Sequence, residues 1–312
     1  MAFKKVNFLA SKGIPFLFIS DFNAKKFDVI PLDELQREDV EFCICESYKY
    51  KEHNHHLETK PIDFNTYKLK FEAVIEKIKR GETYILNLTQ ATPVKIELSL
   101  KEIYTMANAH YKLRYKDQFV CFSPEKFIQI QNNTIHTFPM KGTIDASLKN
   151  AKEKILANEK EMAEHIMIVD LLRNDLSMVS SNVRVEKFRY TQKIAAGDKE
   201  LLQVSSHICG DLEPQWQNRL GDILEKLLPA GSISGAPKKS TLDIIKSVEK
   251  YERGFFSGIF GVFDGQNFDS GVMIRFIEKD RDGYIYKSGG GITLESDLSL
   301  EYQELQDKIY LP

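Results

Sequence analysis

The fold class is decided by residues 118–138, which read QFVCFSPEKFIQIQNNTIHTF. Three strand-like runs, at 118–122, 126–130 and 134–138, follow one another here with only short connections between them. Strands in such hairpin-like pairs recur along the chain and outnumber the helices. This order predicts a large antiparallel α+β domain rather than a doubly wound parallel sheet.

The segments on either side extend the same pattern. Residues 1–48 contain three short strand-like runs, and residues 49–62 are polar. Apolar residues at helical spacing predict a helix over 64–80 that ends at Gly81. A strand at 84–89 follows, and later elements are helices at about 147–172, 217–227 and 238–250 and from about Ser299, with strands near 183–188, 200–209, 256–263, 268–277 and 283–288. We therefore predict a short N-terminal β-rich segment, 1–63, that completes a catalytic domain of residues 64–312.

Composition narrows the class of protein. With 312 residues, 42% of them hydrophobic and 28% charged, the chain can bury a large core. A net charge of −2 and a pI near 6.4 give no electrostatic reason to expect nucleic acid or an anionic membrane as partner, and favour a small ligand. No apolar stretch approaches the roughly 18 residues that span a bilayer, so we expect a soluble, cytoplasmic protein. The four cysteines include no CxxC pair and indicate reduced thiols, with Cys43 and Cys45 as packing residues of a strand.

Lys141 lies in the motif Phe138-Pro139-Met140-Lys141-Gly142-Thr143, a turn-like break before the long helix. Pro139 fixes one backbone angle and Gly142 permits angles that other residues avoid, so this backbone can present one amine inward. An inward amine can act as a nucleophile once burial or nearby cations remove its proton. The alternative is that Lys141 is a solvated loop residue, as most lysines beside a glycine are. Glu125, one strand hairpin earlier, could shuttle protons to such an amine.

Two predicted helices carry the same acidic pattern, a pair of glutamates three residues apart on one helical face: Glu161 and Glu164, and Glu301 and Glu304. Four carboxylates around a small pocket suit a hard divalent ion such as Mg²⁺, which keeps positions for water and for an anionic substrate. Surface helices also carry such pairs by chance. The apolar run 166–169 places the first pair near buried material, where an uncompensated carboxylate is costly.

Histidines offer weaker signals. His53, His55 and His56 could bind a metal, but they lack nearby cysteine or carboxylate partners, which favours a solvated linker. His165 could be an acid or base, although a histidine at a helix packing position is more often a satisfied core residue. The charged helix end at 170–176 is interpreted as structural support.

Two glycine-rich segments could cradle an anion with backbone amides: residues 229–238, which include Gly235, and the predicted turn of Gly289, Gly290 and Gly291. Neither has the sequence of a nucleotide-binding fingerprint. Arg275 stands in an apolar strand, where a buried guanidinium needs an anion. It is a candidate for bidentate binding of a substrate carboxylate, and an internal salt bridge is the equal alternative.

Taken in order, these segments resemble the chorismate-utilising enzymes, and within that family the aminodeoxychorismate synthase component I group. The matching pieces over residues 64–312 are 81–89, 123–125, 139–143, 164–175, 231–238, 253–254, 274–275 and 289–304. The resemblance implies two large antiparallel sheets packed as a sandwich with helices outside. It also implies a Mg²⁺-dependent site for chorismate.

The choice of subfamily depends on two positions. Anthranilate synthases of the family usually carry Ala where Lys141 stands, and isochorismate and salicylate synthases use a water-activating Lys where this chain has Ile85. Both positions imply amination at C4 of chorismate. Phe256 departs from a family Tyr that binds a substrate carboxylate, so Arg275 is expected to bind that group alone. Gln203 stands where the family often has a His, so any protonation role of that histidine is not carried over to this chain.

The resemblance implies a covalent route. Lys141 adds at C2 as the C4 hydroxyl leaves, ammonia then attacks C4, and 4-amino-4-deoxychorismate, a precursor of 4-aminobenzoate and folate, is released. Glu125 is the expected acid/base, and Lys308 resembles a family lysine near the ring carboxylate. The expected Mg²⁺ ligands are Glu161, Glu164, Glu301 and Glu304.

The source of ammonia follows from what the chain lacks. No cysteine sits in a glycine-flanked nucleophile turn, so ammonia is expected from solution or from a glutamine amidotransferase subunit. Two alternatives remain open at this point: anthranilate synthase component I, and a non-catalytic subunit that binds chorismate or docks an amidotransferase.

Overall fold

Two antiparallel β-sheets carry the fold, in a computed structural model that describes residues 2–45, 57–196, 199–281 and 283–311. The strands in chain order are β1 (Phe16–Ser20), β2 (Phe27–Pro31), β3 (Val40–Ile44), β4 (Glu58–Thr59), β5 (Ile85–Lys95), β6 (Tyr111–Tyr115), β7 (Phe119–Ser123), β8 (Lys126–Gln131), β9 (Thr134–Thr137), β10 (Met140–Asp145), β11 (Ser181–Ala196), β12 (Lys199–Asp211), β13 (Gly235–Ala236), β14 (Ile259–Phe263), β15 (Phe268–Val272), β16 (Phe276–Asp280) and β17 (Gly283–Ile292). The α-helices are α1 (Ala2–Ser11), α2 (Phe64–Lys79), α3 (Leu100–Met106), α4 (Ala151–Ala157), α5 (Glu159–Ser177), α6 (Leu220–Leu227), α7 (Gly231–Ser234), α8 (Lys238–Glu249) and α9 (Leu298–Asp307).

The strand order confirms the predicted fold class. A nine-stranded sheet has the order β10-β12-β9-β8-β15-β14-β1-β2, with β11 paired to β12. An eight-stranded sheet has the order β13-β5-β17-β16-β7-β6-β3, with β4 paired to β5. The pairings between these strands are antiparallel, as the hairpin-rich sequence predicts.

Strand β1 shows how the two sheets share the interior. Its five residues are all buried. Phe16 and Phe18 pack in one apolar cluster with helix residues, whereas Leu17 and Ile19 pack in a second cluster with strands of the other sheet. Because successive side chains of a strand point to opposite faces, a strand covered on both faces must be apolar throughout.

A side-chain cap and a glycine determine the two ends of α2. Asp63 accepts a hydrogen bond from the backbone N–H of Thr66 at the first turn. Gly81 follows the last turn with φ +72°, a left-handed conformation that glycine adopts without strain. The predicted end of this helix at Gly81 is confirmed.

Two helices differ from the sequence-based expectation. Helix α1 occupies Ala2–Ser11, where only strands were predicted, and it buries Val6, Leu9 and Ala10. The single helix predicted over 147–172 is two helices, α4 and α5. Asn158 separates them because its extended backbone ends α4 and its side chain accepts a hydrogen bond from the N–H of Glu161. The division into residues 1–63 and 64–312 stays a prediction.

Two strand assignments near the glycines also change. The run predicted as one strand over 268–277 is β15, in the nine-stranded sheet, followed by β16, in the other sheet. Arg275 lies in the crossing between them, with φ +51°. Gly289, Gly290 and Gly291 form no turn, because they lie inside β17 and pair with β5.

The cysteine prediction is wrong for one pair. The sulfur atoms of Cys43 and Cys45 are bonded in a disulfide, whereas Cys121 and Cys209 are free and buried. Cys45 directly follows the last residue of β3, and its Cα lies 5.9 Å from that of Cys43. His53, His55 and His56 lie outside the described residues. Within the described ranges, none of the helices has the length and apolar character needed to cross a membrane.

Candidate active site

A cavity of about 270 Å³ gathers most of the polar residues that the sequence singled out. Its walls come from the first residues of β5 and β10, the α7 loop, the crossing at Arg275 and the end of β17. Predicted site residues that line it are Glu125, Lys141, Gly235, Arg275, Gly289, Gly290, Gly291, Glu304 and Lys308. The topology therefore brings together groups that are far apart in the sequence.

Lys141 is presented by a bulge, not by a turn as the sequence suggested. Met140 pairs with Ser205 and Thr143 pairs with Gln203, so β10 contains one more residue than β12 over this interval. Gly142 has φ +88°, which allows the bulge without the strain of a Cβ atom. The bulge directs the Lys141 side chain into the cavity instead of along the sheet.

The charge on Lys141 is set by opposing influences. Its Nζ lies 3.2 Å from Glu164 Oε2, and its side chain is 25% exposed. Burial lowers the pKa of Lys141, but the carboxylates of Glu164, Glu304 and Glu161 together raise that pKa above its ordinary value. The amine is therefore an ammonium in this structure, and it becomes a nucleophile only after it gives up a proton.

Of the four predicted metal ligands, Glu304 lines the cavity, whereas Glu161, Glu164 and Glu301 do not line it and lie beside its lining residues Gly142, Lys141 and Gly290. Burial raises the pKa of Glu161, and Glu164 raises it further; burial and Glu304 act in the same way on Glu301. Glu304 differs, because Lys308 lowers its pKa below the usual value in spite of burial. Glu304 of α9 also acts to raise the pKa of Glu161 of α5, and Glu164 of α5 acts in the same way on Glu301 of α9, so the two helices bring carboxylates near each other.

These residues fit Mg²⁺ by donor type and by charge, but they are not arranged as a complete set of ligands around one ion. Among the residues that the structure describes, no three carboxylate, imidazole or thiol groups are placed to hold one metal ion together. Glu164 is paired with Lys141, and Glu304 is paired with Lys308. Oxygen ligands and an excess of buried negative charge are what a hard divalent cation requires. A metal at this site would therefore have to displace the two lysines from their carboxylates.

The glycines at the site leave room for other groups. A Cβ atom on Gly291 would lie 3.1 Å from Lys141 Nζ, and one on Gly235 would lie 2.0 Å from the carbonyl oxygen of Ile85. Lys308 Nζ donates a hydrogen bond of 2.8 Å to the carbonyl oxygen of Gly289. Burial lowers the pKa of Lys308, against the opposing effect of Glu304. Small residues are thus required here by close approach, and the predicted role of their amides as an anion cradle stays a prediction.

Glu125 lies at the end of the cavity wall formed by β7 and β8. Its carboxylate Oε1 accepts a hydrogen bond of 2.6 Å from Ser232 Oγ. Burial raises the pKa of Glu125, although Ser232 and the cations Lys141, Lys308 and Arg275 oppose that effect. A carboxylic acid with a raised pKa can donate a proton near neutral pH.

Arg275 has no acidic partner within the described part of the chain. Its Nε donates to the hydroxyl of Tyr310 at 3.2 Å, and its guanidinium lies 5.5 Å from the centre of the Tyr310 ring. The internal salt bridge that was the alternative is therefore not formed. Phe256, which is buried and has no hydroxyl, also lines the cavity, as does the buried Tyr286, which acts electrostatically on Arg275.

Sequence reasoning missed Ser232 and Tyr310 as contacts of site residues. Ser232 lies in the glycine-rich segment that the sequence did single out, but nothing in the sequence pairs it with Glu125. His165 proves to be a buried residue whose Nε2 lies 2.7 Å from Ser206 Oγ, and burial lowers its pKa to about 4. It is neutral and packed, in agreement with the core interpretation.

Comparisons with known proteins identify the family of the chain. A family model described as chorismate binding enzyme matches residues 25–311. A protein of Haemophilus influenzae described as an uncharacterised PabA-like protein is 46% identical over 313 residues, covering 99% of this chain and 95% of its own length. The aminodeoxychorismate synthase component 1 of Bacillus subtilis is 32% identical, covering 77% of this chain and 54% of its own length.

Among solved structures, an anthranilate synthase component I from Streptococcus pneumoniae superposes with a TM-score of 0.69 at 27% identity. The alignment covers 81% of this chain and 58% of that one. The fold is thus shared with an enzyme whose name states a different product from that of the Bacillus protein.

Proposed function

Because this chain belongs to the chorismate-binding enzyme family, we propose that it converts chorismate and ammonia into 4-amino-4-deoxychorismate. The observation that carries the proposal is the placement of Lys141, whose amine enters the cavity from a bulge and faces a wall that includes Ile85. A lysine at the first position supplies a nucleophile, and an isoleucine at the second cannot activate water. The likeness to aminodeoxychorismate synthase component 1 supports the same choice.

In the proposed first step, Lys141 attacks C2 of chorismate as the neutral amine. Glu164 Oε2, at 3.2 Å, is the acceptor for the proton that Nζ must lose. As the bond from Nζ to C2 forms, the two ring double bonds shift, from C1–C2 to C1–C6 and from C5–C6 to C4–C5, and the C4 hydroxyl departs. Glu125 gives its proton to that hydroxyl, which leaves as water. The products of the step are a substrate-bound Lys141 and an ionised Glu125.

In the second step, ammonia attacks C4 from the cavity. Both ring double bonds shift back, the bond between C2 and Nζ breaks, and its electron pair returns to Lys141 as a free amine. The new C4 ammonium gives one proton to Glu125, which restores the acid for the next turnover. Expelling a lysine amine in place of a hydroxide divides one difficult substitution into two easier ones.

Two groups are proposed to hold the substrate in this orientation. Arg275 would bind the enolpyruvyl carboxylate through its planar pair of donors, since Phe256 offers no hydroxyl to share that contact. The ring carboxylate would face the end of the cavity where Lys308 and Gly289, Gly290 and Gly291 lie, with Gly235 of β13 beyond β5 in the same sheet.

Mg²⁺ is proposed as the cofactor, held by Glu161, Glu164, Glu301 and Glu304. When bound, it would neutralise the ring carboxylate and draw electron density toward it. The carboxylates provide hard oxygen ligands, and the raised pKa of Glu161 and of Glu301 marks the negative charge that such an ion would compensate.

Ammonia is proposed to come from a glutamine amidotransferase subunit or from solution. Cys121 and Cys209 are buried, and Cys43 and Cys45 are joined to each other, so none of these thiols is available for glutamine hydrolysis. The partner and its docking surface are part of the proposal.

One experiment separates the candidates. The chain is mixed with chorismate, Mg²⁺ and ammonium, and the products are identified by mass spectrometry. 4-Amino-4-deoxychorismate is the expected product. Anthranilate, the product named by the Streptococcus structure, or isochorismate would assign another reaction of the family. Unchanged chorismate at every ammonium concentration would favour a non-catalytic subunit that binds chorismate or an amidotransferase.

A further inference from the structure

We propose that Ser232 is a positioning residue that keeps the proton of Glu125 on Oε2, the oxygen that is free to face the substrate. This inference rests on the proposed function, in which Glu125 is the acid. Ser232 has no part in the reaction itself, since it acts only through the carboxyl group of Glu125.

The contact between the two side chains is short and specific. Ser232 Oγ lies 2.6 Å from Glu125 Oε1, and both residues line the cavity. A hydroxyl that donates to one carboxyl oxygen makes that oxygen a poor site for a proton, so the acidic proton is held by the other oxygen. Without the hydroxyl, the proton could occupy either oxygen.

The backbone of Glu125 is fixed independently of Ser232. Its N–H donates to Ser123 Oγ at 3.0 Å, and its carbonyl accepts from the N–H of Val272 at 3.1 Å. These bonds attach Glu125 to the ends of β7 and β15. What remains free is the rotation of the carboxyl group, and Ser232 is the neighbour that sets it.

Ser232 is in turn held in place by two helices. It is the second residue of α7, whose first residue, Gly231, packs so closely on α5 that a Cβ atom there would lie 2.7 Å from Asp175 Oδ2. Asp175 is buried and pairs with Lys238 of α8 at 3.3 Å. The charged end of α5, interpreted from the sequence as structural support, therefore supports the start of α7. This arrangement fixes the distance between Ser232 and Glu125.

The charges that face Glu125 give the direction of the effect. Lys141 of β10, Arg275 of the crossing and Lys308 beyond α9 all favour the carboxylate, and burial opposes them strongly enough that the pKa is raised. The Ser232 hydrogen bond also favours the carboxylate. Removing it must therefore raise the pKa of Glu125 further, by about one pH unit for a hydrogen bond of ordinary strength.

The first test titrates Glu125 directly and needs no turnover. In the full chain, the infrared carbonyl band of the protonated carboxyl group is followed with pH and assigned by its loss in Glu125→Gln. We expect its midpoint to rise by about one pH unit in Ser232→Ala and to stay near that of the wild type in Ser232→Thr, which keeps the hydroxyl. Ser234→Ala is the matched control, because the Ser234 hydroxyl donates to the carbonyl of Ala230 within α7. Equal midpoints in the wild type and Ser232→Ala would overturn the proposal.

The second test measures whether Ser232 acts through Glu125. Ser232→Ala should lower kcat for chorismate conversion about 10-fold with little change in KM, and Ser232→Thr should restore most of it. In a Glu125→Gln background, the same Ser232→Ala change should lower kcat by less than about 2-fold, because Ser232 acts only through the carboxyl group of Glu125. Equal losses in both backgrounds would contradict a positioning role. If the infrared midpoint shifts but no chorismate is converted, the proposed reaction fails while the pairing of Ser232 with Glu125 stands.

Discussion

Lys141 Nζ and Glu164 Oε2 form an ion pair of 3.2 Å, so the proposed nucleophile and a proposed metal ligand neutralise each other in this structure. The pair joins β10 to α5, and Glu164 is only 10% exposed. Any cation that binds Glu164 competes with Lys141 for the same oxygen. The two functions proposed for these residues are therefore coupled through one contact.

Replacing Lys141 by Ala should abolish covalent capture of the substrate. Chorismate without ammonia should add substrate-derived mass to the wild-type chain and add none to the variant, as measured by intact-protein mass spectrometry. Lys141→Arg is the matched control, because it keeps a cation beside Glu164 but cannot act as a nucleophile. The alanine variant should also lose about 1–3 kcal/mol of unfolding free energy, since Glu164 is left buried with a weaker partner. An adduct of equal yield on Lys141→Ala would exclude Lys141 as the nucleophile.

Changing Glu301 to Gln should reduce the increase in unfolding free energy that Mg²⁺ produces. For the wild type, Mg²⁺ at 100 times its Kd should raise the unfolding free energy by about 2.7 kcal/mol, and the variant should lose most of that gain. Burial and Glu304 raise the pKa of Glu301, so its ionised form costs stability above the ordinary carboxyl pKa, and the metal-free variant should be the more stable chain at neutral pH.

The measurement for Glu301 is thermal unfolding in EDTA and in Mg²⁺. Glu153→Gln, an exposed position on α4, is the control that should leave both curves unchanged. The same loss of the Mg²⁺-dependent gain is expected for Glu304→Gln, Glu161→Gln and Glu164→Gln. Without metal, Glu161→Gln should also be more stable than the wild type, whereas Glu304→Gln should be less stable, because Lys308 lowers the pKa of Glu304. A Mg²⁺-dependent increase that is equal in all of these variants and in the wild type would contradict the four-carboxylate site.

Changing Arg275 to Lys should weaken the binding of the substrate carboxylate. The lysine keeps the charge but loses the planar pair of donors, so KM for chorismate should rise about 10-fold or more. Phe256→Tyr in the Arg275→Lys background should recover part of the loss by adding a hydroxyl to the neighbouring wall. Steady-state kinetics at saturating ammonium and Mg²⁺ give both values. Unchanged KM in Arg275→Lys would reassign the carboxylate to the backbone of Gly289, Gly290 and Gly291.

Gly142→Ala should damage the site more than the fold. A Cβ atom at this φ of +88° adds strain of about 1–2 kcal/mol, and it would lie 3.1 Å from Glu161 Oε2. Gly81→Ala provides the control, because Gly81 also has positive φ but a Cβ atom there would meet no atom within 4 Å. Chemical denaturation should give similar losses for the two variants, whereas chorismate conversion should fall only in Gly142→Ala. Wild-type activity in Gly142→Ala would mean that the bulge does not position Lys141.

Acid should destabilise the fold through two neighbouring histidines. His136 Nδ1 and His207 Nε2 are 3.0 Å apart, burial lowers the pKa of both rings, and His207 lowers that of His136 further. Since the folded pKa values are depressed, the unfolded chain binds more protons, and stability is lost as pH falls below about 6.5. Urea midpoints at about pH 7.5 and about pH 5 should differ less in His207→Gln than in the wild type. An equal pH dependence in both chains would remove this pair as the cause.

The sequence predicted the sheets well because strand and hairpin signals are local. It predicted the end of α2 at Gly81 for the same reason. It missed α1, although Val6, Leu9 and Ala10 follow helical spacing, since a helix of one ten-residue segment gives a weak periodic signal. It also missed the break at Asn158, where a side-chain cap competes with helix continuation.

The candidate site was predicted by residue type and not by geometry. The residues Glu125, Lys141 and Arg275 could be named from local motifs and family resemblance, but their meeting at one cavity depends on strand order across both sheets. The ion pair between Lys141 and Glu164 and the hydrogen bond between Ser232 and Glu125 are contacts between distant segments. The hydrophobic periodicity of a sequence carries no information on such contacts, so the structure was needed to assign them.

Strand β1 also has a consequence for how the chain is made. It lies inside the nine-stranded sheet, with Phe16 opposite Pro31 on one edge and opposite Phe263 on the other. The ribosome produces β1 about 240 residues before β14. While those residues are synthesised, one edge of a strand that is apolar except for Ser20 lacks its partner, a state that favours association with other chains. The late arrival of β14 should make yield of soluble protein depend strongly on chaperones and on temperature during expression, more than the stability of the finished molecule would suggest.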